Sequence, residues 1–232
     1  MERKNKRIQL DPRLAKCAEF VREGVRVADI GTDHGYLPIW LLQAGKAEFA
    51  VAADINREPL DSAVRNAEKY GETERMRFVL SDGLHGLTAE DAEDIIIAGM
   101  GGELILRIMS EAPWLCDAEK HLVLQPMTTA AQLRSGLAAL GFWIDREEAV
   151  FDGKKIYSVL SVRFTGKMSA VSPLYEHMGK IEPHSEHSAR YAESVLHNLT
   201  NKLRGAEHTG GETESLRQVI GEIRRVYLEE NT

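Results

Sequence analysis

The sequence has few cysteines and no long apolar run, and each shortage excludes a class of protein. Its two cysteines, Cys17 and Cys116, provide neither a disulfide framework nor the ligand spacing of a zinc site. No stretch approaches the roughly 18 apolar residues that a membrane span requires, and the first residues lack the apolar segment of a secretory signal. We therefore expect a cytoplasmic protein with no metal and no membrane partner.

An excess of positive charge is also missing. The net charge of −7 argues against nonspecific coating of nucleic acid, because such binding depends on many Lys and Arg contacts to phosphate. The N-terminal residues are locally basic, but on composition such a run is more often a solvated tail than a binding arm. A hydrophobic fraction of 43% over 232 residues allows an α/β domain with a smaller appendage.

Short β-branched runs alternate with amphipathic segments, a pattern typical of βαβ units and a parallel sheet. Strands are predicted at residues 25–30, 49–55, 76–80, 94–98 and 121–124. Helices are predicted at residues 37–44, 59–70, 103–109 and 130–140. The fourth strand is apolar on both faces, which indicates a position in the middle of a sheet that is covered on each side.

The spacing of predicted strands and helices changes after residue 141. Strand-like runs at residues 142–150 and 155–164 are joined by four residues, which predicts an antiparallel hairpin. A parallel sheet that ends in such a hairpin is typical of the Rossmann-like methyltransferase sheet. We therefore predict a catalytic domain at residues 1–166 and a helical coiled-coil hairpin at residues 167–232, with its turn at 205–211.

The turn after the first strand, Asp29-Ile-Gly-Thr-Asp-His-Gly35, is the strongest local signal of chemistry. The N–H groups at the start of the following helix suit a nucleotide-like ligand. Carboxylates at Asp29 and Asp33 would repel a pyrophosphate, and the spacing fails the GxGxxG pattern of dinucleotide binders. S-adenosylmethionine (SAM) has no phosphate and carries a cationic ammonium and sulfonium, so the turn favours SAM over NAD.

Further carboxylates follow the next two strands. Asp54 lies about 20 residues beyond the Gly turn, where an acid accepts hydrogen bonds from ribose hydroxyls. Asp82 follows the third strand and is placed to accept from the exocyclic amine of adenine. Either residue alone is also consistent with a turn or a helix cap. The predicted cofactor-binding residues are Asp29, Gly31, Thr32, Asp33, His34, Asp54, Ile55, Asp82, Gly83 and Gly99.

A glycine-rich segment, Ala98-Gly-Met-Gly-Gly102, follows the fourth strand. It predicts either a simple tight turn before a helix or backbone left open for the close approach of a planar ligand. Gln125 and Pro126 follow the fifth strand and face the same crevice, where the Gln125 amide is suited to an adenine edge. The Asn/Asp-Pro-Pro-aromatic clamp of many base-nitrogen methyltransferases is absent.

Together these segments resemble the bacterial tRNA adenine N1-methyltransferases that modify adenine 22. The resemblance extends over the whole chain and is carried by residues 10–14, 28–39, 54, 82–84, 97–102 and 124–126. It implies a Rossmann-like catalytic domain, a C-terminal helical domain, SAM as methyl donor and tRNA as substrate. Base positioning is predicted for Gly99, Met100 and Gln125. The predicted substrate contacts are Arg7, Arg13, Gly101, Pro126, Arg190, Lys202 and Arg204.

Several alternatives remain open at this point. An NAD-dependent oxidoreductase shares the βαβ pattern and the acid after the second strand. A methyltransferase with another nucleic-acid or small-molecule substrate, or a non-catalytic RNA-binding module, would keep the same sheet. The helical hairpin carries both basic and acidic residues, so it is predicted either to contact tRNA or to dimerise.

Overall fold

A seven-stranded sheet forms the centre of the molecule in the computed structural model, which describes residues 8–211 and 213–229. The strands are β1 (Val25–Ile30), β2 (Ala47–Asp54), β3 (Met76–Leu80), β4 (Asp94–Gly101), β5 (His121–Thr128), β6 (Phe142–Asp152) and β7 (Lys155–Phe164). Their order is β3-β2-β1-β4-β5-β7-β6. The first five strands are parallel and β7 is antiparallel to both of its neighbours. The predicted Rossmann-like methyltransferase sheet is therefore confirmed.

Helices cover both faces of this sheet. They are α1 (Pro12–Phe20), α2 (Tyr36–Gln43), α3 (Arg57–Tyr70), α4 (Gly102–Ser110), α5 (Ala130–Ala139), α6 (Pro173–Met178), α7 (Glu186–Thr209) and α8 (Glu214–Tyr227). One buried core includes apolar residues of α4 and α5, and the other includes those of α1, α2 and α3. In β4, Ile95 and Ile97 enter the first core and Ile96 enters the second, as expected for a central strand.

The first helix, α1, is absent from the sequence-based prediction. Asp11 caps it, because its side chain accepts a hydrogen bond from the Leu14 N–H at 2.7 Å, and Pro12 occupies the first helical position. An Asp-Pro pair is a recognised start signal, but the helix that follows has only nine residues. Its short apolar stripe, with Cys17, Ala18 and Phe20 buried, becomes evident only when it packs on the sheet.

Two predicted element ends are wrong, and the first of them lies at the site. β4 continues to Gly101 rather than ending at residue 98, with irregular register beside Gly99, whose φ is +81°. The glycine segment is therefore a bulged strand end and not a tight turn. In the C-terminal region, α7 runs through Gly205 to Thr209, so the predicted turn at 205–211 begins too early.

A third apolar cluster joins the C-terminal helices to the sheet domain. Tyr191, Leu199, Val219 and Ile223 are among its buried members, and Ala149 of β6 belongs to it as well. The helices α7 and α8 pair through apolar stripes of the kind that the sequence predicts. Because this cluster includes a strand residue, the helical hairpin lies against the sheet domain rather than apart from it.

Candidate active site

The predicted cofactor residues all lie at one edge of the sheet. Parallel strands β1 to β5 end at the same edge, and the segment after each strand carries a polar or glycine-rich motif. In an open α/β sheet ligands bind in the crevice at the carboxyl ends of the strands, where the strand order reverses. Here that reversal lies between β1 and β4, so the turns after these two strands are central.

The turn after β1 is closed by backbone hydrogen bonds that leave little room for side chains. The N–H groups of Gly31 and Thr32 both donate to the Ala53 carbonyl, at 2.8 and 3.0 Å. Gly31 has a φ of +76°, and a Cβ at this position would overlap the methyl group of Met100. Glycine is therefore required, and Met100 connects the β1 turn to the end of β4.

Asp29 is a buried acid of this crevice, and its pKa is shifted. Burial is the main cause that raises the pKa of Asp29 to about 6; Thr32 and Arg13 oppose it, and the negative charges of Asp54 and Asp33 act in the same direction as burial. The Thr32 hydroxyl is buried near this carboxylate, but it makes no hydrogen bond of good geometry with any described group. A buried carboxylate with too little positive charge around it, next to an unsatisfied hydroxyl, suits a cationic ligand such as an ammonium group.

His34 and Asp33 have different roles from each other. His34 adopts a left-handed φ of +60°, its Nδ1 lies 2.7 Å from the Ser62 hydroxyl, and its carbonyl accepts from the Asn66 amide at 2.9 Å. These contacts fix the turn to α3. Asp33 is exposed and its carboxylate contacts the His34 ring at 3.2 Å. The geometry makes His34 a brace for the turn, while Asp33 stays accessible to a ligand.

Asp54 and Ile55 form the second part of the crevice. One Asp54 carboxylate oxygen accepts from the Asn56 N–H at 2.7 Å, so the side chain also shapes its own turn. Ile55 is 60% exposed, and Leu80, which pairs in register with Asp54, is 48% exposed. Two exposed apolar side chains beside a carboxylate suit the flat face of an adenine. Leu80 is missing from the sequence-based prediction, since a strand-end leucine looks like a core residue.

Asp82 makes an ion pair that sequence reasoning misses. Its carboxylate lies 3.1 Å from a guanidinium nitrogen of Arg107 on α4, and both side chains are about half exposed. The adjacent Gly83 has a φ of +57°, and a Cβ there would lie 3.0 Å from the Ile108 side chain. A contact between Asp82 and an adenine amine therefore has to share this carboxylate with Arg107.

Gln125 is fully buried, and this corrects its predicted contact with a base edge. Its side-chain oxygen accepts from Arg13 Nη1 at 2.8 Å and from the Gly99 N–H at 3.0 Å. Its side-chain nitrogen donates to the Pro126 carbonyl at 2.8 Å. With 0% exposure and both ends of the amide engaged, Gln125 positions Arg13 and the Gly99 bulge rather than touching a base itself.

Arg13 is the charged group that α1 brings to the crevice. Besides Gln125 it lies 3.7 Å from Asp11 and 3.7 Å from Asp152 at the tip of the β6–β7 hairpin. A Cβ added at Gly99 would lie 3.6 Å from its guanidinium. The predicted substrate contact Arg13 is thus beside the predicted base-positioning residue Gly99, although 86 residues separate them in the sequence.

The other predicted substrate residues are dispersed. Pro126 is buried and pairs in register with Met100, and a Cβ at Gly101 would lie 3.1 Å from the Thr128 hydroxyl. Arg190 forms an exposed ion pair with Glu193 at 2.9 Å. Lys202 and Arg204 are exposed on α7. Arg7 lies outside the described residues.

Some kinds of site are not found in the part of the chain that the structure describes. Residues 8–211 and 213–229 contain no group of three or more His, Cys, Asp or Glu side chains able to hold a metal ion. Within the same residues no helix is both long and apolar enough to cross a membrane.

Comparison with known proteins places this geometry in a family. Residues 10–160 match the family model described as a methyltransferase domain. The chain is 35% identical over 153 residues to the tRNA (adenine(22)-N(1))-methyltransferase of Bacillus subtilis, an alignment that covers 66% of this chain and 64% of that relative. The aligned segment thus spans slightly less than two thirds of the Bacillus protein.

Solved structures extend the similarity over most of the chain. Streptococcus pneumoniae Sp1610, a putative tRNA (m1A22) methyltransferase in complex with S-adenosyl-L-methionine, superposes with a TM-score of 0.80 at 31% identity, covering 92% of this chain and 97% of that one. Mycoplasma capricolum TrmK, in complex with S-adenosyl-homocysteine, gives a TM-score of 0.77 at 26% identity, with coverages of 93% and 96%.

The fold and the strand-end site define a Rossmann-like methyltransferase domain. The similarity continues through the C-terminal helices, which lie beyond the residues matched by the family model. The chain belongs to the TrmK family of tRNA methyltransferases.

Proposed function

We propose that this protein transfers a methyl group from SAM to N1 of adenine 22 in tRNA, in the cytoplasm. The observation that carries the choice of cofactor is the buried Asp29 carboxylate beside the unsatisfied Thr32 hydroxyl. The choice of substrate is supported by similarity to the Bacillus enzyme over 66% of the chain and to the pneumococcal structure over 92% of it.

The residues present fit SAM in chemical type. Asp29 and Thr32 would hold the ammonium of its methionine part, because an ionised carboxylate in a dry site gains most from a nearby cation. Asp54 would accept from the ribose, and Ile55 and Leu80 would contact the adenine, with Asp82 at its rim. When bound, SAM supplies a methyl group that is activated for transfer by its sulfonium.

The chain's own contribution to the chemistry is position and charge. N1 of an unpaired adenine has a lone pair in the ring plane, so no general base is needed to activate it. The bulge at Gly99 leaves backbone exposed for the flat base, and Gln125 fixes that bulge together with Arg13. Methylation places a positive charge on the ring. Asp11 and Asp152 would neutralise the nearby Arg13 guanidinium, so that it does not repel this charge.

The C-terminal helical hairpin, with a domain boundary near residue 166, is proposed to contact tRNA. Supporting this, the side chains of Lys202, Arg204, Arg224 and Arg225 make no hydrogen bond or ion pair with any other described residue. A dimerising hairpin is the alternative. Phosphate contacts would make tRNA binding weaker as salt rises, whereas an apolar dimer interface would respond little.

Deleting the hairpin is a poor test of that role. Arg134 of α5 is fully buried, pairs with Glu147 of β6, and donates to the Glu176 and His177 carbonyls and to the Tyr191 hydroxyl. A protein ending near residue 166 would leave those donors without partners and expose the third apolar cluster. Such a truncation would lose stability, so loss of activity would not identify a tRNA contact.

A direct experiment is incubation of the full chain with methyl-labelled SAM and total tRNA, followed by mapping of the labelled nucleoside. We expect 1-methyladenosine at position 22. Label in another nucleoside would favour a methyltransferase with a different target, and tRNA binding without label would favour a non-catalytic RNA-binding module. The matched control is Asp29→Asn, which should reduce labelling at limiting SAM while the protein stays folded.

A further inference from the structure

A groove between the sheet domain and the C-terminal hairpin adjoins the active site. It has a volume of about 390 Å³ and is lined by the last residues of β5, by the first turn of α5, and by one face of α7. Its lining residues Pro126 and Thr128 pair in register with Met100 and Gly101, so one end of the groove lies beside the glycine-rich end of β4. The volume lies in the range of roughly 300–1,000 Å³ that ligand sites occupy.

The lining combines an apolar wall with hydrogen-bonding groups and one accessible cation. The apolar wall includes Met127, which is 38% exposed, together with Val195, Leu199 and Leu216. Hydroxyl and amide groups come from Thr128, Thr129, Gln132, Ser194 and Asn198. In a protein with a net charge of −7, Glu176 is the single acidic residue among the described residues that line the groove.

The positive charge of Lys202 is available to a ligand. Lys202 is exposed and lines the groove, and its side chain forms no hydrogen bond or ion pair with another described residue. The second cation of the lining, Arg134, is fully buried and neutralised by Glu147 at 2.6 Å. A ligand with one negative charge and a flat apolar part therefore matches the groove.

The wall formed by α7 is held in place by the same buried network. Arg134 lies on α5 and donates to the Tyr191 hydroxyl of α7 at 2.8 Å. The Lys180 N–H donates to Glu147 at 3.1 Å, and the adjacent Gly179 leaves no space for a Cβ beside that carboxylate. The groove is thus formed before a ligand arrives, which lowers the ordering cost of binding.

We propose that this groove seats a nucleotide of the RNA substrate that lies next to the target adenine, with its phosphate at Lys202. The proposal rests on the proposed function, because it requires the target base to enter the crevice beside Gln125. Sequence-tolerant contact between a base and an apolar wall, combined with a phosphate contact, is the usual way in which proteins hold single-stranded RNA. The match in charge and the continuity with the crevice favour this occupant over a peptide or a free anion.

The chain offers a matched pair of lysine and arginine variants. Lys202→Gln removes the groove charge, whereas Arg204→Gln removes a charge from the same helix that does not line the groove. Two residues rotate a helix by about 200°, so the two side chains point to opposite sides. Asn198→Trp is a third variant, which fills the groove from an exposed position on α7.

We expect Lys202→Gln to weaken tRNA binding about 3- to 10-fold and to lower the slope of log K against log salt by about 1, as for one lost phosphate contact. Asn198→Trp should raise the KM for tRNA at least as much. Arg204→Gln, which removes a charge outside the groove, should weaken tRNA binding less than Lys202→Gln does, and SAM affinity should be unchanged in all three. Filter binding of tRNA at several salt concentrations and calorimetry with SAM measure these effects.

The outcomes separate this proposal from the proposed function. If the wild type methylates tRNA and Asn198→Trp does so with an unchanged KM, the groove proposal is overturned while the function stands. Equal losses in Lys202→Gln and Arg204→Gln would also overturn it, since they would indicate general electrostatic attraction. If the wild type methylates no tRNA, the proposed function is wrong. In that case, equal tRNA retention by the wild type and Asn198→Trp in the binding assay would overturn the groove proposal as well.

Discussion

Replacing Asp29 with asparagine should make the free protein more stable and the cofactor site weaker. Burial raises the pKa of Asp29 to about 6, compared with about 3.9 for an unperturbed aspartate. A difference of about 2 units corresponds to about 3 kcal/mol, which is the cost of keeping this carboxylate ionised in the folded protein. Asp29 is only 6% exposed, so solvent screening reduces this value little.

The pH dependence of this effect has a definite sign. Because the folded pKa lies above the unfolded one, the cost is absent below about pH 4, grows between about pH 4 and pH 6, and is complete above pH 6. Asp29→Asn should therefore gain up to about 3 kcal/mol at pH 7.5 and almost nothing at pH 4. SAM affinity of the wild type should fall below pH 6, since a protonated carboxyl no longer attracts the ammonium.

Urea unfolding at both pH values measures the free energy of unfolding, and calorimetry at pH 7.5 measures SAM affinity. A charge-assisted hydrogen bond contributes about 1.5–3 kcal/mol, so we expect SAM to bind roughly 10- to 100-fold more weakly to Asp29→Asn. A variant that is less stable than the wild type at pH 7.5, or that binds SAM equally well, would refute the assignment of Asp29 to the ammonium.

Three further variants test other parts of the site. Asp54→Ala should lose about 1 kcal/mol of stability with its bond to Asn56 but at least about 10-fold in SAM affinity; unchanged affinity in the folded protein would place the ribose elsewhere. Gly99→Ala should lower the free energy of unfolding by about 1–2 kcal/mol, because Gly99 has a left-handed φ. It should also reduce tRNA methylation more than SAM binding, because the added Cβ approaches Arg13. Full activity of this variant would exclude close approach of the base. Arg134→Leu should cost about 3–5 kcal/mol in urea unfolding, and a loss below 1 kcal/mol would show that the buried pair is dispensable.

Local periodicity was sufficient to predict most of the sheet. The bounds of β1, β3 and β7 agree with the predicted strands, because each is a short apolar run with clear flanking turns. The acids after β1, β2 and β3 follow from the same logic, since the carboxyl ends of parallel strands meet at one edge. What these side chains bind was inferred from charge, and the burial of Asp29 adds a physical reason for a cationic ligand.

Three of the missed features depend on contacts between distant residues. The hydrogen bond from Arg13 to Gln125 joins residues 112 apart, and no local pattern shows that it consumes the Gln125 amide. Arg134 resembles a surface residue in the sequence, yet it is buried because Glu147 and Tyr191 supply its partners. Arg107 is likewise an ordinary helix arginine until α4 packs beside Asp82.

The central claim is that methyl transfer goes to N1 of adenine 22, and one pair of RNAs tests it directly. Two otherwise identical tRNAs are compared, one with adenine at position 22 and one with 1-deazaadenine, in which a C–H group replaces N1. We predict label from SAM in the first tRNA, confined to residue 22, and none in the second. Equal labelling of both tRNAs, or label at another residue of the first, would contradict the proposed function.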